Sequence, residues 1–184
     1  MMQNAQISWT IDPTHSMIEF AVKHLGVSWV KGRFTKVEGK AQFDPDNPAK
    51  GSVEASIQTA SIWTGDEGRD RHLRSADFFD AENQPAITFK STGIEKAGGQ
   101  EYKISGNLTM RGVTRPVVLV ALFLGVRKIP SGEGKEPSVV AGVSAKTVLN
   151  RHDFSISWDM PSGEGVTAVA GEVEVNLDIR LQKQ

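Results

Sequence analysis

Alternation with a period of two residues runs through most of this chain and limits its fold more than any other feature. In Met17–His24, Ile18, Phe20 and Val22 share one parity while Glu19 and Lys23 fall on the other, the pattern of a strand with one buried face. Val53, Ala55 and Ile57 alternate with Ser52, Glu54 and Ser56, and Tyr102, Ile104, Leu108 and Met110 alternate with Lys103, Ser105, Asn107 and Arg111. Near the C-terminus Val169, Val173, Val175, Leu177, Ile179 and Leu181 lie on one parity, and Glu172, Glu174, Asn176 and Asp178 on the other. Residues that free or lock φ punctuate these runs: Asp12-Pro13, Asp44-Pro45, Asn47-Pro48, Gly98-Gly99, Gly112, the stretch 130–137 and Pro161-Ser162-Gly163. The pattern gives about eight strands. With no helices between them they form an antiparallel sheet, which hides its faces and edges by closing or by stacking. The expected architecture is all-β, one antiparallel β-barrel over residues 1–184; a two-sheet sandwich produces the same period.

The 184 residues suit one hydrophobic core, and a net charge of −1 with 39% apolar and 23% charged residues is that of an ordinary globular protein. No basic excess calls for a nucleic acid. Without cysteine the chain has no disulfide, thiolate ligand or thiol nucleophile. The first residues lack the basic start and apolar stretch of a secretory signal, so the chain as written is expected in the cytosol; a mature chain behind a new Met would read the same way and belong in the periplasm. The longest apolar run, Val117 to Val126, is about half of a membrane-spanning helix, so no membrane span is expected.

Two segments depart from simple alternation. Thr64-Gly65-Asp66-Glu67 has the form of a capping box and predicts a helix from there to roughly Ser75. Its polar sequence places it on the surface, with Leu73 and Ala76 turned inward and Asp70 paired to Arg74 one turn on. In the run 117–124 both parities are apolar. Val117, Leu119, Ala121 and Phe123 can face a barrel interior, but Val118, Val120, Leu122 and Leu124 then need a cover. The helix offers too little apolar surface, so a homodimer through these four residues is expected.

No reaction centre is visible. His15, His24, His72 and His152 lie on at least three elements without ligand-pair spacing, and Asp70, His72 and Ser75 would fan around a helix axis instead of forming a relay. Phosphate-binding loops, dinucleotide fingerprints, zinc-protease and serine-hydrolase motifs are missing. No catalytic residue, metal or cofactor is predicted. What remains is a barrel interior wide enough for side chains or one slim ligand. Phe20, Phe34, Phe43, Phe89, Phe123 and Phe154 could line such a cavity or fill it.

Four stretches make the chain recognisable. They are Asp12-Pro13-Thr14-His15-Ser16-Met17-Ile18-Glu19-Phe20 continuing to Val22-Lys23-His24-Leu25-Gly26 and Gly32-Arg33-Phe34; Arg69-Asp70-Arg71-His72-Leu73-Arg74-Ser75-Ala76-Asp77-Phe78-Phe79-Asp80, with Pro85 and Thr88-Phe89 after it; Gly106-Asn107-Leu108-Thr109-Met110-Arg111-Gly112-Val113-Thr114-Arg115-Pro116-Val117; and Asn150-Arg151-His152-Asp153-Phe154. In this order, from about Trp9 to Ile179, they resemble the YceI-like, polyisoprenoid-binding family. The resemblance implies an eight-stranded, lipocalin-like antiparallel barrel with one or two short helices near a mouth, and binding, storage or transport of a long isoprenoid-type lipid, polyprenyl or quinone-like. By parity and aromatic content the expected lining is Ile18, Phe20, Val22, Phe34, Ile104, Leu108, Leu119 and Phe123. Two alternatives stay open: an enzyme acting on an isoprenoid or quinone, and a structural or stress protein with a filled barrel.

Overall fold

A computed structural model describes residues 6–130, 132, 134, 136–160 and 165–184. The expected turn at Pro161-Ser162-Gly163 and part of the loop 130–137 lie outside these residues. The strands are β1 (Ile7–Ile11), β2 (Met17–His24), β3 (Ser28–Phe34), β4 (Val37–Asp44), β5 (Asn47–Gln58), β6 (Ile62–Trp63), β7 (Ala86–Gly98), β8 (Glu101–Met110), β9 (Val113–Ile129), β10 (Ser138–Asn150) and β11 (Val169–Lys183). One helix, α1 (Glu67–Arg74), precedes β7.

Six of the strands are halves of three interrupted staves. β1 and β2 both pair with β11, β4 and β3 continue alongside them, and β5 and β6 lie against β4 and β3. Counted as staves the sheet has eight antiparallel members, and it closes where β1 meets β11. The sandwich is therefore excluded, and the barrel has the strand number expected from the sequence.

The interruptions sit side by side and are held by hydrogen bonds. The Asp12 carboxylate accepts from the Thr14 amide at 3.0 Å and lies 2.8 Å from His15 Nδ1, which forms a single helical turn at Pro13–His15. Ser16 and Arg180 clamp this turn to β11, the Ser16 hydroxyl accepting from the Arg180 amide and donating to its carbonyl. In the next stave the Thr35 amide donates to the Ser61 carbonyl and the Lys36 amide to the Ser61 hydroxyl. Breaks of this kind let a twisted sheet bend sharply enough to close.

Interior parity is kept between the β-bulges and shifts at them, as in β7, where both Phe89 and Ile94 face the cavity. Phe20 faces Gly32 across the β2–β3 ladder, and a Cβ on Gly32 would come within 2.5 Å of the Phe20 ring. The Phe89 ring covers Gly106 in the same way. Missing side chains here make room for aromatic rings inside a narrow barrel.

The helix differs from its sequence expectation in three ways. Its N-cap is Asp66, whose carboxylate accepts from the Arg69 amide, and not Thr64. Thr64 is engaged elsewhere, because its amide and hydroxyl both donate to Asp70. Asp70 is consequently buried and does not pair with Arg74, which donates to the carbonyls of Ala60 and Ile62. Leu73 turns inward as expected, whereas Ala76 is exposed.

Candidate ligand-binding tunnel

Inside the barrel runs a cavity of about 300 Å³, at the small end of the range for ligand sites. Its floor is a packed cluster in which Trp9 stacks on Phe43 at 5.0 Å, backed by Ala141 and Leu181. Its ceiling is Leu73 from α1, Phe78 and Phe79 from the following turn, and Ile156, with Phe154 and Trp158 packed behind them.

The structure places the eight residues read from the sequence on the cavity wall. Ile18, Phe20 and Val22 come from β2, Phe34 from β3, Ile104 and Leu108 from β8, and Leu119 and Phe123 from β9. The rings mark out the channel: Phe20 lies 5.9 Å from Phe34, Phe34 meets Phe79 edge-on at 5.7 Å, and Phe43 meets Phe123 edge-on at 5.9 Å. Further wall residues lie on parities already evident in the sequence, including Val173, Val175 and Leu177 of β11. Of the ceiling side chains Leu73 was expected to turn inward, but Phe78, Phe79 and Ile156 carried no local signal that they fold over the barrel end.

The few polar wall residues include Ser52, Tyr102, Thr147 and Arg151. Arg151 is 5% exposed and donates to four backbone carbonyls, Ile156 and Trp158 at 2.8 Å, Val169 at 2.9 Å and Ala170 at 3.0 Å. Burial lowers its pKa, partly offset by the nearby Asp159 carboxylate, but a guanidinium stays charged at any working pH. Asp159 organises the same loop by accepting from the amides of Met160, Ala168 and Val169. Desolvation works against its charged form, yet those amides and Arg151 together hold its pKa below the ordinary value. Two other arginines of the recognisable stretches do similar work. Arg69 donates to Thr64, and Arg111 to the carbonyls of Ser155 and Ala76. They fasten the loops that close this end.

The histidines do not converge. His15 binds Asp12, and His72 Nε2 lies 2.8 Å from Asp77 with its ring edge-on to Phe78 and Trp158. The Ser75 hydroxyl donates to the His72 carbonyl and not to its ring, so Asp70, His72 and Ser75 make no relay. Among the described residues no three His, Asp or Glu side chains gather as a metal site, and no helix is long and apolar enough to cross a membrane.

The YceI-like domain family matches residues 9–181. A UPF0312 protein of Pseudomonas paraeruginosa is 42% identical over 171 residues, which is 92% of this chain and 83% of that protein. Among solved structures, Burkholderia cenocepacia BcnA superposes with a TM-score of 0.75 at 26% identity, covering 92% of this chain and 98% of that one. A protein from Saccharophagus degradans, described as a polyisoprenoid binding domain implicated in plant cell wall breakdown, has a TM-score of 0.70 at 14% identity and covers 97% and 99%.

Proposed function

Because the chain belongs to the YceI-like family, we propose that it binds a long apolar chain of the isoprenoid type in its tunnel, as a carrier or store and not as a catalyst. The carrying observation is the tunnel itself, a cavity walled by aliphatic and aromatic side chains on every stave. At 14% identity the Saccharophagus protein shares the fold, so the choice of ligand rests on the chemistry of the wall. Hydrocarbon burial contributes about 0.8 kcal/mol per methylene, or roughly 4 kcal/mol per five-carbon unit before ordering costs are subtracted. Such a site rewards chain length until it is full. The enzyme reading needs ionisable groups at a reacting centre, and none of the four histidines lines the wall. A filled barrel is disfavoured by the cavity volume.

Native mass spectrometry of protein from its own source is expected to show a bound lipid that solvent extraction removes. Affinity for farnesyl, geranylgeranyl and longer chains should rise stepwise and then level off. Protein that carries nothing, together with affinity independent of chain length, would sink the carrier reading.

A second copy of the chain is the proposed cover for the outer face of β9. Val118, Val120, Leu122 and Leu124 are 47%, 40%, 40% and 51% exposed in succession. Such a row on one strand is the type of patch that marks association. Light scattering over a tenfold concentration range should give twice the 20.0 kDa chain mass, and Leu122→Lys should return it to the single chain. A parent protein that stays at the single mass throughout removes the dimer.

A further inference from the structure

The wall between the floor and the ceiling of the tunnel is not continuous. β9 and β10 pair from Ser138↔Ile129 to Lys146↔Val120, and there their ladder ends. Both strands run on, β9 along β8 to Val113 and β10 along β11 to Asn150. Residues 113–119 and 147–150 therefore face one another without ladder pairs. Pro116, which has no N–H to donate, lies in this stretch.

An outer groove lies over the split, lined by Pro116, Val118 and Val148 together with the polar Arg115, Asn150 and Asp153. Val117, Thr147 and Leu149 border both this groove and the tunnel. Their side chains separate the interior from the surface. On the outside the split is flanked by Val118, 47% exposed, and Val148, 59% exposed.

We propose that the split between β9 and β10 is a lateral portal through which the lipid enters and leaves, gated by Val117, Thr147 and Leu149. The proposal rests on the tunnel being the lipid site. It also accounts for exposed valines on both of the strands that part. A hydrocarbon chain passing this way meets apolar carbon in the tunnel, at Val117 and Leu149 of the gate and at Val118 and Val148 outside, which lie beside the polar Arg115, Asn150 and Asp153.

A rival gap exists between β5 and β7. Their ladder ends at Glu54↔Lys90, beyond which the Val53 amide donates to the Ser91 hydroxyl at 2.9 Å, and the tunnel wall reaches Pro48, Ser52 and Ile94. Its outer margin, however, carries the exposed Lys50, Thr92 and Glu95. Charged groups flank both gaps, and the β9–β10 split is favoured because Val117, Thr147 and Leu149 there border the tunnel and an outer groove together.

The chain has no cysteine, so introduced thiols are the only ones present. In Val118→Cys/Val148→Cys, a short reducible bis-thiosulfonate linker would bridge the proposed portal. In Lys50→Cys/Thr92→Cys it would bridge the outer margin of the rival gap. Release of a fluorescent farnesyl probe is followed by stopped flow, with the Leu122→Lys change added so that a second copy cannot shield the groove. The β9–β10 bridge should slow release by about tenfold or more, and reduction should restore the rate, while the β5–β7 bridge leaves it unchanged. Unbridged proteins that bind the probe as the parent does confirm the fold of the variants. Release that is equally fast with the β9–β10 bridge in place, or slowed only by the β5–β7 bridge, overturns the portal and leaves the tunnel intact. A parent protein that does not bind the probe at all overturns the tunnel reading and the portal with it.

Discussion

Replacing Arg151 with methionine is expected to lower the thermal midpoint by roughly 10 °C. The guanidinium donates to four carbonyls, those of Ile156, Trp158, Val169 and Ala170, and so ties the loop after β10 to the start of β11. Methionine matches much of its length but donates nothing. Each abandoned carbonyl that stays dry costs about 1–3 kcal/mol. Water reaching some of them reduces the total to about 3–5 kcal/mol, and a chain of this size loses roughly 2–4 °C for each kcal/mol. Arg151→Lys should recover only part of the loss, because one ammonium cannot span a fork of four acceptors. Circular dichroism melts decide it: a methionine variant within about 2 °C of the parent would show that the loop holds without this arginine.

The barrel was legible because alternation is local. The inward parities of β2, β8 and β11 follow from the order of residues alone, whereas β9 is apolar on both parities and does not declare its inner face. Closure and the nature of the ligand came from resemblance, since alternation does not distinguish a barrel from a sandwich. What the sequence hid is what depends on distant partners. Ser16 bonds to Arg180, 164 positions away, and that contact helps turn one stave into β1 and β2. Thr64 has the spacing of an N-cap, yet Asp70 takes its hydroxyl and leaves the cap to Asp66. Asp70 and Arg74 have ion-pair spacing, but both are drawn to the loop before the helix. Local rules state which bonds a residue can make, and competition among tertiary partners selects the bond. The early end of the β9–β10 ladder is hidden for a related reason: both strands keep their alternation there because each is still paired on its other side.

Phe20→Asp should weaken binding of a farnesyl probe by about a hundredfold, equivalent to roughly 2.7 kcal/mol, and destabilise the fold by about 3–5 kcal/mol. The ring covers Gly32 and lies 5.9 Å from Phe34, so its loss opens a void in the wall beside Gly32. The new carboxylate has no cation placed to meet it from the neighbouring strand, because Lys31 and Arg33 point outward on either side of Gly32. Desolvation therefore raises its pKa. The sign of the pH dependence follows: above the raised value the group is charged and repels the lipid, and as pH falls through that value it becomes neutral and part of the affinity returns. Leu108→Asp on β8, across the barrel, should behave alike, since Leu108 also belongs to the tunnel wall. Lys31→Asp introduces the same carboxylate on the outer face of β3 and should leave binding and melting nearly unchanged. Equal behaviour of Phe20→Asp and Lys31→Asp would show that the β2 wall does not touch the lipid.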